Sequence, residues 1–317
     1  MAPCDDESGY LVKALVTTDD GDTGLRLDPV ADPEPRAGQA LVAVSAVGVN
    51  RGDLSILGQL PPGSRLGWDV AGTVIRAAPD GSGPARGTRV LGLADRDGWA
   101  ERVALGTGRL ARLPDSLDWQ SAAALPVAGL TALYALQRAG RLVGRTVLVT
   151  GAGGGVGRAA VQLASAAGAK VIAWVGSPER AQGLAALGAD HVATYGEDPR
   201  EPVDILLDSC GGEVLTSAFE TVTAGGSVVC YGNTARADLR LPRDWGHARP
   251  GVSLHAVALF DEVTRRDVAH DLAFLVQLVT EGRLDPQVAR VVDWTDPAPV
   301  LRDLAERRLN GKAVLAL

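Results

Sequence analysis

A glycine-dense turn between an apolar run and an amphipathic pattern carries the residues best suited to chemistry. Residues 147–174 read VLVTGAGGGVGRAAVQLASAAGAKVIAW, in the order strand, turn, helix and strand that a nucleotide-binding βαβ unit requires. The literal G-x-G-x-x-G spacing is not met, but Gly151, Gly154 and Gly157 fit a shifted spacing. Because glycines have no side chain, a pyrophosphate can approach the backbone, where the following helix offers N–H groups. The predicted cofactor-binding residues of the turn are Gly151, Gly154, Gly155, Val156 and Gly157.

The second strand of this unit bears on the choice between the two nicotinamide cofactors. NAD sites usually place an acidic residue about 20 residues after the glycines, but this strand ends WVGSPER, with Gly176 in that place. Ser177 and Pro178 begin a helix, so a helix N-terminus, a hydroxyl and the Arg180 guanidinium are available to a 2′-phosphate. The alternative is that Ser177 is only an N-cap and Arg180 a solvated helix residue. We expect the Glu179 side chain to point elsewhere on the helix, and the missing acid favours NADPH.

Apolar patterning predicts two architectures around this turn. From residue 11 to about residue 120, short alternating apolar segments broken by turns indicate antiparallel strands in a small, strongly bent β-domain. From about residue 121, helices alternate with strands, which predicts a doubly wound parallel sheet. Its predicted strands are TVLVT, KVIAWV, HVATY, VDILLDS, SVVCYG and SLHAVAL.

The end of the chain is patterned more like the first part than like the middle. We therefore expect it to fold back onto the N-terminal domain, beginning with the helix DVAHDLAFLVQLVTEG. The predicted fold class is α/β, with a Rossmann-type doubly wound parallel sheet inserted into a strongly bent β-domain. The predicted boundaries are 1–122 plus 260–317 for the β-domain, the substrate domain, and 123–259 for the NADPH-binding domain.

Composition limits the class of partner. The 317 residues include 31 Lys and Arg against 38 Asp and Glu, a net charge of −7, which disfavours nucleic acid and anionic membranes as partners. The N-terminus MAPCDDESGYLVK lacks a signal-peptide pattern, and no apolar run approaches about 18 residues. We therefore expect a cytoplasmic protein. The three cysteines are too few for a disulfide framework, and we expect Cys210 and Cys230 to be core residues.

Motifs outside the glycine turn point to a family. The stretch AVGVNRGDLSILGQLPPGSRLGWDVAGTV (46–74), together with LPVAGLTALYAL, LLDSCGG, VVCYGN and GKAVL, resembles the zinc-independent quinone oxidoreductase branch of the medium-chain dehydrogenase/reductase superfamily. The resemblance covers residues 11–317 and implies that the β-domain is GroES-like. It also implies a homodimer formed through edge strands of the nucleotide-domain sheet, for which SLHAVAL is the candidate strand.

The metal ligands of the zinc-dependent relatives are missing. Those relatives have a Cys in the loop where this chain reads NRGD (50–53), and a His-Glu pair where it reads WD (68–69). None of the four histidines has ligand-like spacing, so we predict no metal site. Hydride delivery to a quinone, or to the β-carbon of an α,β-unsaturated carbonyl, needs mainly positioning and donors facing the developing oxygen anion. The resemblance implies the same reaction class.

Carried over by position, the resemblance implies further site residues. It implies that Asn50 and Asp53, the predicted catalytic residues, lie at the nicotinamide end of the cofactor cleft. The remaining implied cofactor contacts are Thr131, Gly232 and Asn233 along the cofactor, Tyr195 with Ser177 and Arg180 near the adenosine phosphate, and Lys312 near a phosphate. Alternatively, Asn50 caps a turn, Asp53 begins a helix and Asn233 supplies a left-handed turn. We expect Asp69 to have a structural role, pairing within the β-domain.

The source of a proton for the reduced alkene stays open. Several family members have a tyrosine shortly after the Asn-x-x-Asp segment, but this window reads LSILGQLPPG. Water, Ser55, His247 and His255 are the remaining candidates. Quinone reduction makes fewer demands of this kind.

These observations predict an NADPH-dependent reductase of quinones or activated alkenes. One alternative is a dedicated enoyl reductase that acts on a single biosynthetic intermediate. Another is a protein that binds NADPH without redox chemistry, as a sensor or scaffold.

Overall fold

The computed structural model describes residues 11–21, 23–197 and 201–317. The strands in chain order are β1 (Leu11–Thr17), β2 (Leu25–Ala31), β3 (Gln39–Val49), β4 (Asp69–Arg76), β5 (Arg89–Leu93), β6 (Arg102–Gly106), β7 (Leu110–Arg112), β8 (Thr146–Thr150), β9 (Lys170–Val175), β10 (His191–Thr194), β11 (Val203–Asp208), β12 (Val222–Cys230), β13 (Ser253–Ala256), β14 (Val288–Asp293) and β15 (Lys312–Ala316). The α-helices are α1 (Arg51–Leu57), α2 (Trp119–Ala123), α3 (Pro126–Ala139), α4 (Gly155–Ala166), α5 (Pro178–Ala181), α6 (Gly212–Phe219), α7 (Trp245–Ala248), α8 (Leu259–Glu262), α9 (Val268–Thr280) and α10 (Ala298–Ala305).

The described residues form two units by their contacts. The first contains the described residues up to Pro126, with Arg290–Arg308 and Ala313–Leu317. The second contains Val127–Ala289 and Leu309–Lys312. Within the described part of the chain, no helix combines the length and the apolar character needed to cross a membrane.

The second unit contains a six-stranded sheet in which every neighbouring pair is parallel. Its strand order is β10-β9-β8-β11-β12-β13. Numbered within this unit, the order is 3-2-1-4-5-6, that of doubly wound dinucleotide-binding folds. The central strands are buried on both faces: Leu148 and Ile172 are fully inaccessible to solvent. The predicted parallel sheet is confirmed, and all six of its predicted strands form. Continuous runs of Val, Ile and Leu are typical of strands that are covered on both faces of a sheet.

The first unit is built around the long strand β3. Its first half, from Gln39 to Ala43, pairs with β6, and its second half, from Ala46 to Val49, pairs with β15. The register against β4 shifts twice along β3, and such irregularities bend a strand. This change of partners along one strand produces the predicted bent β-domain. The sheet order is β14-β15-β3-β4-β5-β7, and β1 and β2 pair separately.

The chain returns to the first unit later than the sequence-based boundary at residue 260. Helix α9, which we expected on the N-terminal domain, belongs to the second unit. It packs on α3: the Tyr134 hydroxyl donates to Asp271 at 2.9 Å, and a Cβ added at Gly129 would lie 2.8 Å from Leu275. The chain re-enters the first unit at Arg290. Apolar spacing identified the helix but carried no information about which partner its face covers.

Strand β13 lies at one edge of the parallel sheet, beside β12. This is the segment that the sequence analysis proposed as a dimer edge. Pairing of two copies through it stays a prediction. A monomeric mass in solution at micromolar concentration would contradict it.

Candidate functional site

The glycine turn (residues 151–157) joins the carboxyl end of β8 to the start of α4. Gly151 has a φ of +62°, in the left-handed region that favours glycine. A Cβ added at Gly157 would lie 2.5 Å from the carbonyl oxygen of Gly151. The first turn of α4 therefore approaches the strand end too closely for any side chain at this position.

The start of α4 leaves backbone donors without a partner in the helix. Gly154 is the N-cap, with φ −84° and ψ 171°, and the Arg158 N–H donates to its carbonyl at 2.9 Å. The N–H groups of Gly155, Val156 and Gly157 precede this first helical hydrogen bond, so none has an acceptor within the helix. Three such donors, at the positive end of the helix dipole, favour an anion.

Two cationic side chains flank the glycine turn. A Cβ added at Gly155 would lie 2.7 Å from Cδ of Lys312, so the stem of that buried lysine packs on the turn. The Arg180 guanidinium donates to the carbonyl oxygen of Leu309. By contrast, a Cβ at Gly154 would meet nothing closer than 3.4 Å. The turn thus combines an uncrowded backbone face with helix N–H groups and cations, which fits the pyrophosphate of a dinucleotide.

The segment after β9 corrects one expectation. Ser177 precedes α5, and a hydrogen bond from its side chain lowers the pKa of the Glu179 carboxyl. The prediction that Glu179 points away from Ser177 was wrong, because on so short a helical turn the carboxylate reaches back to the N-terminal hydroxyl. Gly176, where NAD-binding proteins usually have an acidic residue, has no side chain here. A Cβ added at this position would lie 3.6 Å from the Tyr195 ring.

Tyr195 lies directly at the glycine turn. Its hydroxyl oxygen accepts a hydrogen bond from the Gly151 N–H at 2.9 Å and lies 3.0 Å from Sγ of Cys210. Its ring packs edge-on against Trp174, with centroids 5.5 Å apart. Burial raises the pKa of the Tyr195 phenol, so the hydroxyl keeps its proton at neutral pH. Cys210, which we expected in the core, instead lies half-buried beside this hydroxyl.

The three other residues that the resemblance implies along the cofactor, Thr131, Gly232 and Asn233, lie on α3 and after β12. Thr131 is buried on α3. The Asn233 amide closes a loop, because its Nδ2 donates to the Ala237 carbonyl at 2.8 Å and its Oδ1 accepts from the Ala237 N–H at 3.2 Å. Asn233 does not have the positive φ of a left-handed turn, so its loop role differs from the alternative considered above. Gly232 precedes it at the carboxyl end of β12. Cofactor contact by these three residues stays a prediction.

In the first unit, Asn50 lies in a cluster with two carboxylates, here called the Asn50 cluster (Asn50, Asp53 and Asp69). Nδ2 of Asn50 donates to Oδ2 of Asp69 at 2.9 Å, and the Asn50 N–H donates to Oδ2 of Asp53 at 2.7 Å. All three are buried, and Asp69 is fully inaccessible to solvent. Asn50 is the N-cap of α1 and forms a capping box with Asp53, so both residues have the structural roles considered above. Asp69 pairs within the β-domain, as predicted.

Glycines make room for this cluster. A Cβ added at Gly48 would lie 2.6 Å from Oδ2 of Asp69, and one added at Gly52 would lie 2.5 Å from the Trp68 ring. Asn50, in the loop that holds a Cys ligand in zinc-dependent relatives, and Asp69, in the pair that replaces their His-Glu, are hydrogen-bonded to each other. Among residues 11–21, 23–197 and 201–317, no group of three or more His, Cys, Asp or Glu is arranged to hold a metal ion.

The three candidate proton donors have unequal surroundings. The Ser55 hydroxyl donates to the Gly52 carbonyl within α1 at 2.8 Å. His255 lies in β13, and His247 is exposed in α7. No contact of these side chains singles one out as the donor.

Two family models match the chain. An alcohol dehydrogenase GroES-like domain matches residues 36–143, and a zinc-binding dehydrogenase domain matches residues 187–315. Among curated proteins, the spectinabilin polyketide synthase system protein NorB of Streptomyces orinoci is 37% identical over 92% of this chain. The quinone oxidoreductase-like protein 2 of Bos taurus is 28% identical over 87% of this chain and 84% of its own length.

The chain spans only a small part of the polyketide synthases it matches. The share is 14% for NorB and 5% for GfsB of Streptomyces halstedii. Solved structures match over their whole length instead. Mycobacterial Rv1454c complexed with NADPH has a TM-score of 0.86, with 26% identity over 97% of this chain and 100% of the other. The CurK enoyl reductase has a TM-score of 0.84, with 26% identity over 96% and 99%.

Proposed function

We propose that this chain, which belongs to the quinone oxidoreductase branch of the medium-chain dehydrogenase/reductase superfamily, is an NADPH-dependent reductase of carbon–carbon double bonds activated by a carbonyl group. The observation that carries the proposal is the glycine turn. Its helix N–H groups, uncrowded backbone and flanking cations together suit the phosphates of a dinucleotide. The family is one of oxidoreductases, and NADPH supplies a hydride when bound.

The proposed choice of NADPH rests on the segment after β9. Gly176 provides no carboxylate to bind the ribose hydroxyls of NAD, whereas Arg180 provides a permanent cation for a 2′-phosphate. Ser177 donates to Glu179 in the structure, so binding of the 2′-phosphate by Ser177 requires that hydroxyl to change acceptor. The complex of Rv1454c with NADPH supports the same choice.

The proposed substrate class is an enoyl thioester or a related enone. Similarity to NorB, at 37% identity, exceeds similarity to the quinone oxidoreductase-like protein, at 28%. The similar fold of CurK, an enoyl reductase, favours the same class. A quinone is the second candidate, because the quinone oxidoreductase-like relative matches along most of its own length.

We propose Asn50 as a catalytic residue, and we propose that Asp53, also predicted as catalytic, positions it. The hydrogen bond to Asp69 orients the Asn50 amide, since only its nitrogen side can donate to a carboxylate. An amide held in this way is preorganised to donate to an oxygen atom on which negative charge develops. Asp53 fixes the Asn50 backbone through the capping box, so the two residues form one rigid group.

The test is loss of nicotinamide absorbance with purified protein, measured separately with NADPH and NADH. The acceptors are a 2-enoyl thioester, an α,β-unsaturated ketone and benzoquinone, with products identified by mass. The proposal expects oxidation of NADPH together with saturation of the thioester or ketone. Turnover of benzoquinone alone supports the second candidate, and a preference for NADH contradicts the cofactor assignment. NADPH binding without turnover of any acceptor favours the non-redox alternative.

A further inference from the structure

A buried arginine lies behind the glycine turn. Arg158 is on the first turn of α4 and is 4% exposed. Its Nε donates to the Gly153 carbonyl at 3.3 Å, one terminal nitrogen to the Gln287 side-chain oxygen at 2.7 Å, and the other to the Gln182 carbonyl at 2.5 Å. Sequence reasoning did not single out this residue, although a charged side chain in a mostly buried helix is a visible signal.

The Gly153 and Gln182 contacts join two elements of the candidate cofactor site. Gly153 belongs to the glycine turn, and Gln182 directly follows α5, the helix that contains Arg180. These two elements also touch each other, because a Cβ added at Gly153 would lie 2.7 Å from the Arg180 carbonyl oxygen. Arg158 therefore fixes the spacing between the proposed pyrophosphate and 2′-phosphate positions.

The Gln287 contact brings in the third element. The Gln287 carbonyl accepts a hydrogen bond from the Lys312 N–H at 2.8 Å, and Gln287 has a φ of +57°. The Lys312 side chain packs in turn on Gly155. One guanidinium thus contacts the glycine turn and α5 directly, and reaches the lysine segment through Gln287.

The charge of Arg158 is not neutralised by a contacting carboxylate. Its three acceptors are uncharged carbonyl or amide oxygens, and in the described part of the chain no carboxylate lies within 4 Å of its nitrogens. Burial lowers the pKa of the guanidinium, partly offset by the charge of Asp285. A buried cation is costly unless it is well hydrogen-bonded, and its field acts on a nearby anion with little screening.

We propose that Arg158 is a positioning residue for the phosphates of the cofactor, holding the glycine turn, α5 and the Lys312 segment in their binding arrangement and adding positive potential behind them. The inference rests on the proposed function for the class of cofactor. It assigns to Arg158 no contact with the reacting atoms. Its loss therefore weakens cofactor binding and leaves the chemical step unchanged once the cofactor saturates the enzyme.

The test compares R158M and R158K with a matched control, Q162M. Gln162 lies one turn further along α4, is 8% exposed, and makes two hydrogen bonds to the backbone of Asp285, at 2.7 and 3.0 Å. It is also buried and is hydrogen-bonded to the same loop, but none of its hydrogen bonds in the described residues reaches the glycine turn or α5. Dissociation constants for NADPH are measured by titration calorimetry, and thermal unfolding is recorded for each variant.

R158M is expected to raise the Kd for NADPH about tenfold or more, because hydrogen bonds from a charged group are lost. R158K keeps the charge without the three-way contact, so its Kd falls between those of R158M and the wild type. Q162M changes the Kd less than about twofold, whatever its effect on thermal unfolding. In turnover, KM for NADPH rises in the Arg158 variants and kcat at saturation stays at the wild-type value. If R158M does not fold, R158K carries the comparison.

Equal Kd values for the wild type and both Arg158 variants overturn the inference, as does equal weakening by Q162M. A fall in kcat with unchanged KM also overturns it. Wild-type protein that binds neither NADPH nor NADH contradicts the proposed function itself. The two failures are therefore distinguishable in one set of titrations.

Discussion

The glycine turn of the second unit and the Asn50 cluster of the first are built in opposite ways. In the turn, side chains are absent where Gly151 and Gly157 approach each other, and the donors are backbone N–H groups. In the cluster, buried side chains bind each other, as in the 2.9 Å hydrogen bond from Asn50 to Asp69. The turn is a local property of seven consecutive residues, whereas the cluster depends on residues brought together by a strand pairing.

Their electrostatics differ as well. The turn has Lys312, Arg180 and Arg158 around it, whereas the cluster contains two buried carboxylates and one amide. A phosphate is therefore favoured at the turn, whereas the cluster, whose donor toward a substrate oxygen is the Asn50 amide, suits an acceptor that carries no full charge in its ground state. The comparison assigns phosphate binding to the first and orientation of a neutral acceptor to the second.

Gly157→Ala is expected to have the largest effect on the glycine turn. Its Cβ would lie 2.5 Å from the Gly151 carbonyl oxygen, so the helix must move away from the turn. We expect NADPH affinity to fall more than about 100-fold and the protein to lose stability, since overpacking of this kind is strongly destabilising. Titration calorimetry and thermal unfolding measure the two effects.

Gly154→Ala is the matched control for this substitution. Its Cβ would meet nothing closer than 3.4 Å, and its φ of −84° suits alanine. Stability should stay near the wild-type value, while NADPH affinity falls if phosphate approaches this face. Equal thermal stability of the two variants would contradict the packing argument.

Asp69→Ala tests the cluster. It removes the acceptor that orients the Asn50 amide, so we expect kcat to fall about 30-fold, corresponding to about 2 kcal/mol, with the Kd for NADPH unchanged. Steady-state kinetics with an enoyl thioester measure the first quantity and calorimetry the second.

Asp69→Asn is the conservative partner of that variant. A side-chain amide oxygen in the same place can still accept from Asn50, so D69N should recover part of the lost kcat. A rise in the Kd for NADPH without a fall in kcat would show that the two regions are not separate in function.

Arg180→Met tests which cofactor the turn prefers. We expect the Kd for NADPH to rise about tenfold, because a charge-assisted contact with the 2′-phosphate is lost, while the Kd for NADH is unchanged. Glu179→Gln should act in the opposite direction, since it removes a carboxylate that accepts from Ser177. Parallel changes in the affinities for both cofactors would contradict the assignment of Arg180.

The smallest expected effect concerns Cys210. Burial raises the pKa of the Cys210 thiol above its ordinary value, so alkylation at neutral pH is slow and accelerates as the pH rises. Bound NADPH should slow the reaction severalfold, because Cys210 lies beside Tyr195 at the turn.

Cys230 serves as the control thiol within the same molecule. Burial raises its pKa to about 11, and it ends β12 beside Asp208 of β11. NADPH should leave its alkylation rate unchanged. Peptide mapping by mass spectrometry separates the two sites, and equal protection of both would contradict the placement of Cys210.

The sequence predicted what local patterning determines. Apolar runs identified the six parallel strands, and the glycine spacing identified the turn, since both depend on neighbouring residues. The contact between Asn50 and Asp69 could not be predicted from local patterning, because strand pairing brings together two residues 19 positions apart. Helix α9 was recognised as a helix but assigned to the other unit. Arg158 was missed because its partners at 153, 182 and 287 are far apart in the sequence and meet only in the folded unit.

Isotope labelling of the cofactor shows whether its hydride reaches the alkene. Wild-type protein is incubated with a 2-enoyl thioester and reduced nicotinamide cofactor that carries deuterium at both C4 positions, in parallel reactions with the NADPH and NADH forms, and the product is analysed by mass and NMR. We expect one deuterium at the β-carbon of the saturated product, formed at least about tenfold faster from the NADPH form. Unlabelled product, or faster transfer from the NADH form, would contradict it.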